Sequence, residues 1–282
     1  FETLIGGSGN DRFEIGGDKK YHLIGGDGED TLIGANNDAR FILDSAARYI
    51  NDKQEITFAG FENLVGGNRD DIFEIHGEQT YNLSGGEGND TFKFIGSGSL
   101  SGTIDGGSGT NTLDYSAYDS GVEVDLSAGL GTGVSGSIRN VSNLIGSKYD
   151  DKLTGDNRDN IIIGGDGNDK LYGGRGSDTF IFEGNFGADN LYDYEDENGE
   201  TKGLGSYTLD FTEVTADLTI NIGENGGQST LEITDAIGNS LSYSSSFPKV
   251  LKAIYSGKGN DTFNLNVNRA VSLYGGGGDD RS

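Results

Sequence analysis

Residues 146–181 read GSKYDDKLTGDNRDNIIIGGDGNDKLYGGRGSDTFI, and a glycine returns every nine residues, at Gly146, Gly155, Gly164 and Gly173. Five places after each glycine stands an acid or amide: Asp151, Asn160, Asp169, Asp178. Two places further is an apolar residue: Leu153, Ile162, Leu171, Phe180. This pattern predicts a three-residue strand whose centre points inward, followed by a six-residue turn. Side chains alternate faces along a strand, so only the middle residue of so short a strand must be apolar. A helix would need apolar residues three and four apart, and no such run is sustained.

Written G-G-x-G-x-D-x-U-x, with U apolar, the unit recurs along the chain. It appears as GGSGNDRFE at 6–14, GGDGEDTLI at 25–33, GGNRDDIFE at 66–74 and GGEGNDTFK at 85–93. GGSGTNTLD at 106–114 carries Asn111 in place of the acid, and SGKGNDTFN at 256–264 and GGGGDDRS at 275–282 follow near the end. Outside the tandem block, an aliphatic residue such as Leu4, Leu23, Leu64, Leu83 or Ile104 precedes the leading glycine by two places.

The unit resembles the RTX (repeats-in-toxin) calcium-binding nonapeptide. The resemblance covers 11 turns spread over most of the chain, four of them in strict tandem. It implies an all-β fold, a parallel β-roll or β-solenoid in which two nonapeptides make one coil and calcium lies between turns stacked on one side. The residue types suit that chemistry. Calcium takes six to eight oxygens; glycine permits the backbone conformations that aim carbonyls into a turn; aspartate adds charge. The thin apolar interior would then rely on the ions as part of the core.

With calcium as the cofactor, turn 146–151 is expected to stack on 164–169, and 155–160 on 173–178. The expected metal ligands are Asp151, Asp169 and Asp178, with Asn160 a weaker one. Elsewhere the leading residues Gly6 and Gly25, Gly66 and Gly85, and Ser256 and Gly275 are each 19 apart. The half-coils between them, IGGDKKYHL, IHGEQTYNL and LNVNRAVSL, lack the acid, so one side of each coil is expected to be an ordinary turn. The implied ligand pairs are Asp11 with Asp30, Asp71 with Asp90, and Asp261 with Asp280. The turn at 34–42, GANNDARFI, has Ala39 at the ligand position and reads as metal-free. Roughly five to six ions follow, about one per stacked pair, which would bring the net charge from −26 to about −15.

Composition agrees with a partner of positive charge. The 282 residues include 50 glycines, one proline and no cysteine, with a net charge of −26. Such an acid excess repels itself unless cations offset it, and it excludes nucleic acid and anionic membrane surfaces as partners. Disulfides and cysteine metal sites are excluded outright. No apolar run reaches membrane-spanning length. A chain without methionine that stops inside a repeat reads as part of a longer polypeptide.

The expected organisation is a first roll with a divergent insert (1–62), a second roll with a β insert (63–142), the tandem β-roll (143–183), a β-rich insert (184–253) and the start of a further roll (254–282). The inserts, roughly 41–62, 113–142 and 184–253, read as wider β-solenoid coils. Their strands alternate, with Val122, Val124 and Leu126 in one and Leu218, Ile220 and Ile222 in another. Ser45–Ile50 could make one short helical turn. GADNLYDYEDENGE at 187–200 resembles the strand that follows an RTX roll, with Asp193, Glu195, Asp196 and Glu197 as a solvated loop or a weak calcium site.

No catalytic site is legible. The only histidines, His22 and His76, lie in half-coils without the acid; there is no G-x-S-x-G, and the repeat accounts for the paired carboxylates. The expectation is a non-enzymatic, calcium-folded structural segment of a secreted bacterial surface protein: surface layer, extracellular filament or adhesin stalk, self-associating or continuing in the same repeat chain. The alternative is the calcium-triggered folding and secretion module, of the type I secretion kind, of a toxin or secreted hydrolase or epimerase whose catalytic domain lies elsewhere. Binding of a surface glycan by Tyr115, Tyr118, Tyr192, Tyr194 and Tyr243 is a third possibility.

Overall fold

The computed structural model describes residues 2–192, 205–225, 228–243, 251–266 and 271–282. Among the described residues there is no helix; the chain alternates short strands and turns throughout. It divides into two compact units, one of residues 1–119 with 128–143, the other of residues 120–127 with 144–282.

In the first unit the repeats build two mainly parallel sheets. One carries Glu2–Gly7, Tyr21–Gly26, Glu55–Ala59, Arg48–Asn51, Ala39–Leu43, Asp71–Gln79, Thr91–Leu100 and Thr112–Tyr118, in that spatial order. The other carries Arg12–Glu14, Thr31–Ile33, Asn63–Gly67, Asn82–Gly86, Ile104–Asp105 and Ile138–Arg139. Register follows the repeat: Phe13 pairs with Leu32, Leu32 with Leu64, and Leu64 with Leu83. On the other sheet Phe41, Phe73 and Phe92 pair in sequence, their rings stacked at centroid distances of 4.6 and 5.1 Å. All three are fully buried. A one-residue slip would turn every such ring outward, so this column fixes the register. Phe92→Ala is expected to cost about 3–5 kcal/mol, read as a shift in the urea unfolding midpoint.

The second unit repeats the plan. Ile161–Ile163, Ser177–Ile181, Ser206–Asp210, Leu251–Tyr255 and Ser272–Tyr274 lie in parallel. Glu123–Asp125, Lys152–Thr154, Lys170–Tyr172, Ala188–Tyr192 and Ser240–Tyr243 form the facing series. The alternating residues read from the inserts point inward as expected: Val124 and Ile220 are fully buried.

Two inserts depart from plain parallel coils. Ala39–Leu43, Arg48–Asn51 and Glu55–Ala59 run antiparallel in succession. So do Leu218–Asn225, Gln228–Asp235 and Ser240–Tyr243. Three strands joined up, down and up end in the direction they began, so the parallel stack resumes on both flanks. Residues 45–46 make a turn rather than a helix, and Arg48–Asn51 is already strand.

Candidate metal centre

The nine-residue turns place one aspartate of each repeat beneath the next coil. Most of these carboxylates use Oδ1 as a rung, accepting the peptide N–H of the equivalent residue one coil earlier; Asp71 does not, and both of its oxygens are buried without a hydrogen-bond partner. Asp30 Oδ1 accepts from Asp11 at 2.7 Å, Asp90 from Asp71 at 2.8 Å, and Asp169 from Asp151 at 2.8 Å. Asp178 accepts from Asn160 and Asp280 from Asp261, both at 3.0 Å. The sequence-derived pairs are thus stacked neighbours, and each belongs to a longer column. Asp30 donates onward to Glu62 Oε2 at 2.8 Å, and Asp90 to Asn111 Oδ1 at 2.8 Å. Val122 precedes Asp151, and Leu218 precedes Asp261, each donating to its Oδ1. Ala39, at the position read as metal-free, pairs with Asp71.

The second oxygen has a different fate. Oδ2 of Asp11, Asp30, Asp71, Asp90, Asp169, Asp178, Asp189 and Asp261 is buried without a hydrogen-bond partner. Apart from Asp11, these residues are at most 1% exposed. A buried carboxylate oxygen left unpaired costs free energy, so its repetition at one repeat position needs a physical reason. The glycines supply part of it. A Cβ on Gly6, Gly66 or Gly85 would fall under 3.0 Å from Oδ2 of Asp11, Asp71 or Asp90, and equally close to the carbonyl oxygen of Gly25, Gly85 or Gly106 in the next coil. Each cradle therefore gathers a carboxylate oxygen and a carbonyl oxygen, both acceptors, with no donor between them.

Burial drives several of these acids toward the neutral form. It pushes Asp71, Asp169 and Asp189 up to about 8, and Asp90 and Asp178 up to about 7. Neighbouring carboxylates add to the effect, Asp90 on Asp71 and Asp151 on Asp169. Asp151 and Asp261 are raised for the same leading reason.

Three members stand apart. Asp151 is satisfied within its own turn: Ser147, where other turns have glycine, donates its N–H to Oδ2 at 2.5 Å and its hydroxyl to Oδ1 at 2.9 Å. Asn160 Oδ1 accepts the N–H of Asp156 at 2.9 Å. Asp280 is exposed.

Sequence reasoning passed over two features. One is Asp189, whose Oδ1 accepts the N–H of Asp169 at 2.8 Å. The other is the residue just before each aspartate, which builds a second ladder in the opposite sense. Asn10 Oδ1 accepts from Glu29 N–H at 3.0 Å, Asp70 from Asn89 at 2.7 Å, Asn89 from Thr110 at 2.8 Å, and Asp150 from Asn168 at 2.9 Å. Asx residues bond readily to nearby backbone, and here they tie coil to coil. The signal was present as recurring Asn or Asp at a position written as free.

The donor set fits a hard divalent cation: carboxylates of successive turns, plus carbonyls of glycine-rich backbone. Among the described residues no three carboxylate or imidazole side chains form one metal-holding group, so backbone carbonyls or waters would complete any coordination sphere. The histidines are engaged locally, His22 Nδ1 at 2.8 Å from Thr57 Oγ1 and His76 Nε2 at 3.7 Å from Glu74. Tyr115 is fully buried and donates to Thr132 O at 2.6 Å, and Tyr243 is also buried, so neither offers a face to a glycan. Tyr194 and the acids Asp193, Glu195, Asp196 and Glu197 lie outside the described residues. Among those described, no helix is long and apolar enough to cross a membrane.

Residues 2–18, 22–38 and 145–180 match the family model of the RTX calcium-binding nonapeptide repeat, in four copies. A search of curated proteins returned no match.

Proposed function

Because the chain carries RTX calcium-binding nonapeptide repeats, we propose that it is a calcium-folded structural segment of a secreted bacterial surface protein, and that it is not itself an enzyme. The observation that carries this reading is the column of buried, unpartnered Oδ2 oxygens. Calcium bound there would supply the positive charge that lets the acids stay ionised and buried. Asp11, Asp30, Asp71, Asp90, Asp169, Asp178 and Asp261 are the proposed principal ligands. Asp151, Asn160 and Asp280 take lesser parts, for the reasons of geometry given above. The proposed load is about five to six ions, one per stacked pair.

The charge makes the segment a switch. At the low calcium level inside a cell, acids in excess oppose compaction and leave the chain unfolded for export. Outside, calcium reaches the ~10⁻⁴–10⁻³ M affinity range of extracellular modules, and binding to the folded state alone drives folding. A repeat array of this kind suits a stalk, filament or surface layer, in which repeats meet further repeats or neighbouring copies.

The test is far-UV circular dichroism during a calcium titration, with magnesium as control. A cooperative coil-to-β transition in calcium alone is expected. Full β-structure already present in chelator would overturn the proposal. Light scattering in the same titration reports whether folding also drives assembly.

A further inference from the structure

The family match ends at residue 180, yet the column of carboxylates does not. Residues 184–192 read GNFGADNLY. Gly184, Gly187, Asp189 and Leu191 fall at the first, fourth, sixth and eighth places of the nonapeptide. The second glycine is missing: Asn185 stands there, and Phe186, fully buried against Phe182 and Phe211, fills the third place. With Asn185 in place of the second glycine the turn escapes the motif, while Phe186 anchors it to the apolar interior.

The backbone nevertheless stacks as a repeat. Lys170, Leu171 and Tyr172 pair with Asn190, Leu191 and Tyr192. Ala188 N–H donates to the Gly167 carbonyl at 3.1 Å, and a Cβ on Gly187 would overlap that same oxygen. Both ladders continue. Asp189 Oδ1 accepts the N–H of Asp169 at 2.8 Å, and Asn168 Oδ1 accepts the N–H of Ala188 at 3.1 Å. Asp189 is 1% exposed, and its Oδ2 is buried with no partner, as is Oδ2 of Asp169. The Oδ1 rung and the buried, unpartnered Oδ2 are shared with the recognised turns; the glycine cradle is not, since a Cβ added to Gly184 would meet no heavy atom within 4 Å.

We infer that Asp189, with Asp169, forms an additional calcium site between turn 164–169 and the degenerate turn 184–189, carrying the calcium column one coil beyond the recognisable repeats. The inference rests on the calcium reading of the repeats. Its physical basis is that Asp169 and Asp189 place two carboxylates in one dry interval with no donor for either outer oxygen. In this column Asp151 is already satisfied by Ser147, so the interval ending at Asp189 is the better candidate for a tightly held ion.

Two measurements test it. The first is the calcium stoichiometry of the full chain and of Asp189→Asn by calorimetric titration. The variant is expected to bind one ion fewer than the parent, with its β-structure in saturating calcium unchanged. Equal stoichiometry and affinity in the two proteins would overturn the inference while leaving the calcium reading intact. The second does not depend on the variant folding: anomalous scattering from crystals of the unaltered chain grown with terbium in place of calcium. A peak between residues 164–169 and 184–189 is expected. Peaks at the other aspartate pairs with none here would overturn this site alone, and no peaks at any pair would overturn the calcium reading with it.

Discussion

Stripped of calcium, the rolls are expected to become more stable as the pH falls, and with calcium bound, less stable. The sign follows from where the protons sit. Asp71, Asp90, Asp169, Asp178 and Asp189 ionise at about 7–8 when folded, against 3.8 for an ordinary aspartate. Between about pH 4 and 8 the calcium-free native state therefore binds more protons than the unfolded chain, and its stability must drop as pH rises through that window. At 1.36 kcal/mol per unit, each acid contributes a penalty of about 4 kcal/mol by neutral pH. Several together exceed the ~5–15 kcal/mol by which a domain is normally stable, so the calcium-free rolls should be unfolded at neutral pH and regain β-structure in mild acid. Calcium reverses the linkage. It binds the ionised carboxylates, so protons compete with it, and stability should fall with decreasing pH as ions are lost. Urea unfolding from about pH 4.5 to 8.5, in calcium-depleted and calcium-saturated buffer, reads both slopes. Slopes of the same sign would mean that the buried acids are not the cation-linked groups.

Much of this was legible in the sequence because the repeat is strict where strand, turn and ligand coincide. Leu153, Ile162, Leu171 and Phe180 are fully buried, as a period-two strand demands. Asp11 with Asp30 and Asp71 with Asp90 are stacked because 19 residues close one coil. What escaped had a common cause: spacing reports which residues recur, not which neighbour they meet. Asn10, Glu29, Asp70 and Thr110 differ in chemistry, so their shared position looked free, although any Asx oxygen there can make the rung. Asp189 was hidden because Asn185 broke the glycine pattern while the backbone path was preserved. Ser147 stands at a glycine position of the repeat, and only geometry shows its two hydrogen bonds to Asp151. The antiparallel strands Arg48–Asn51 and Gln228–Asp235 share the alternation of parallel ones, so a one-dimensional pattern cannot give their direction.

Gly85→Ala is expected to be among the most damaging small substitutions in the chain, and it separates two reasons for keeping glycine. Gly85 does not lie in the left-handed region, so its backbone would accept alanine; the obstacle is space. A methyl there would fall under 3.0 Å from Oδ2 of Asp90 and from the carbonyl oxygen of Gly106. The carbonyl belongs to the neighbouring coil and cannot retreat without parting the stack. The carboxylate cannot swing away without giving up the Asp71 rung held by its Oδ1. Overpacking of this kind ordinarily costs about 1–3 kcal/mol, and two blocked escapes put the expected loss at about 3 kcal/mol or more. Gly77 presents the opposite case, with φ +59° and no heavy atom within 4 Å of an added Cβ. Its alanine variant should lose about 1–2 kcal/mol from conformation alone. Gly9 has neither constraint, so Gly9→Ala should be neutral or slightly stabilising, within about 1 kcal/mol. Urea midpoints in saturating calcium should rank the three as Gly85, Gly77, Gly9 in falling order of damage. Gly85→Ala should in addition require more calcium to fold, because its methyl occupies the cradle itself. If Gly85→Ala proved as mild as Gly9→Ala, the close approach of successive turns would be wrong, and with it the convergence of oxygens on which the proposed calcium sites rest.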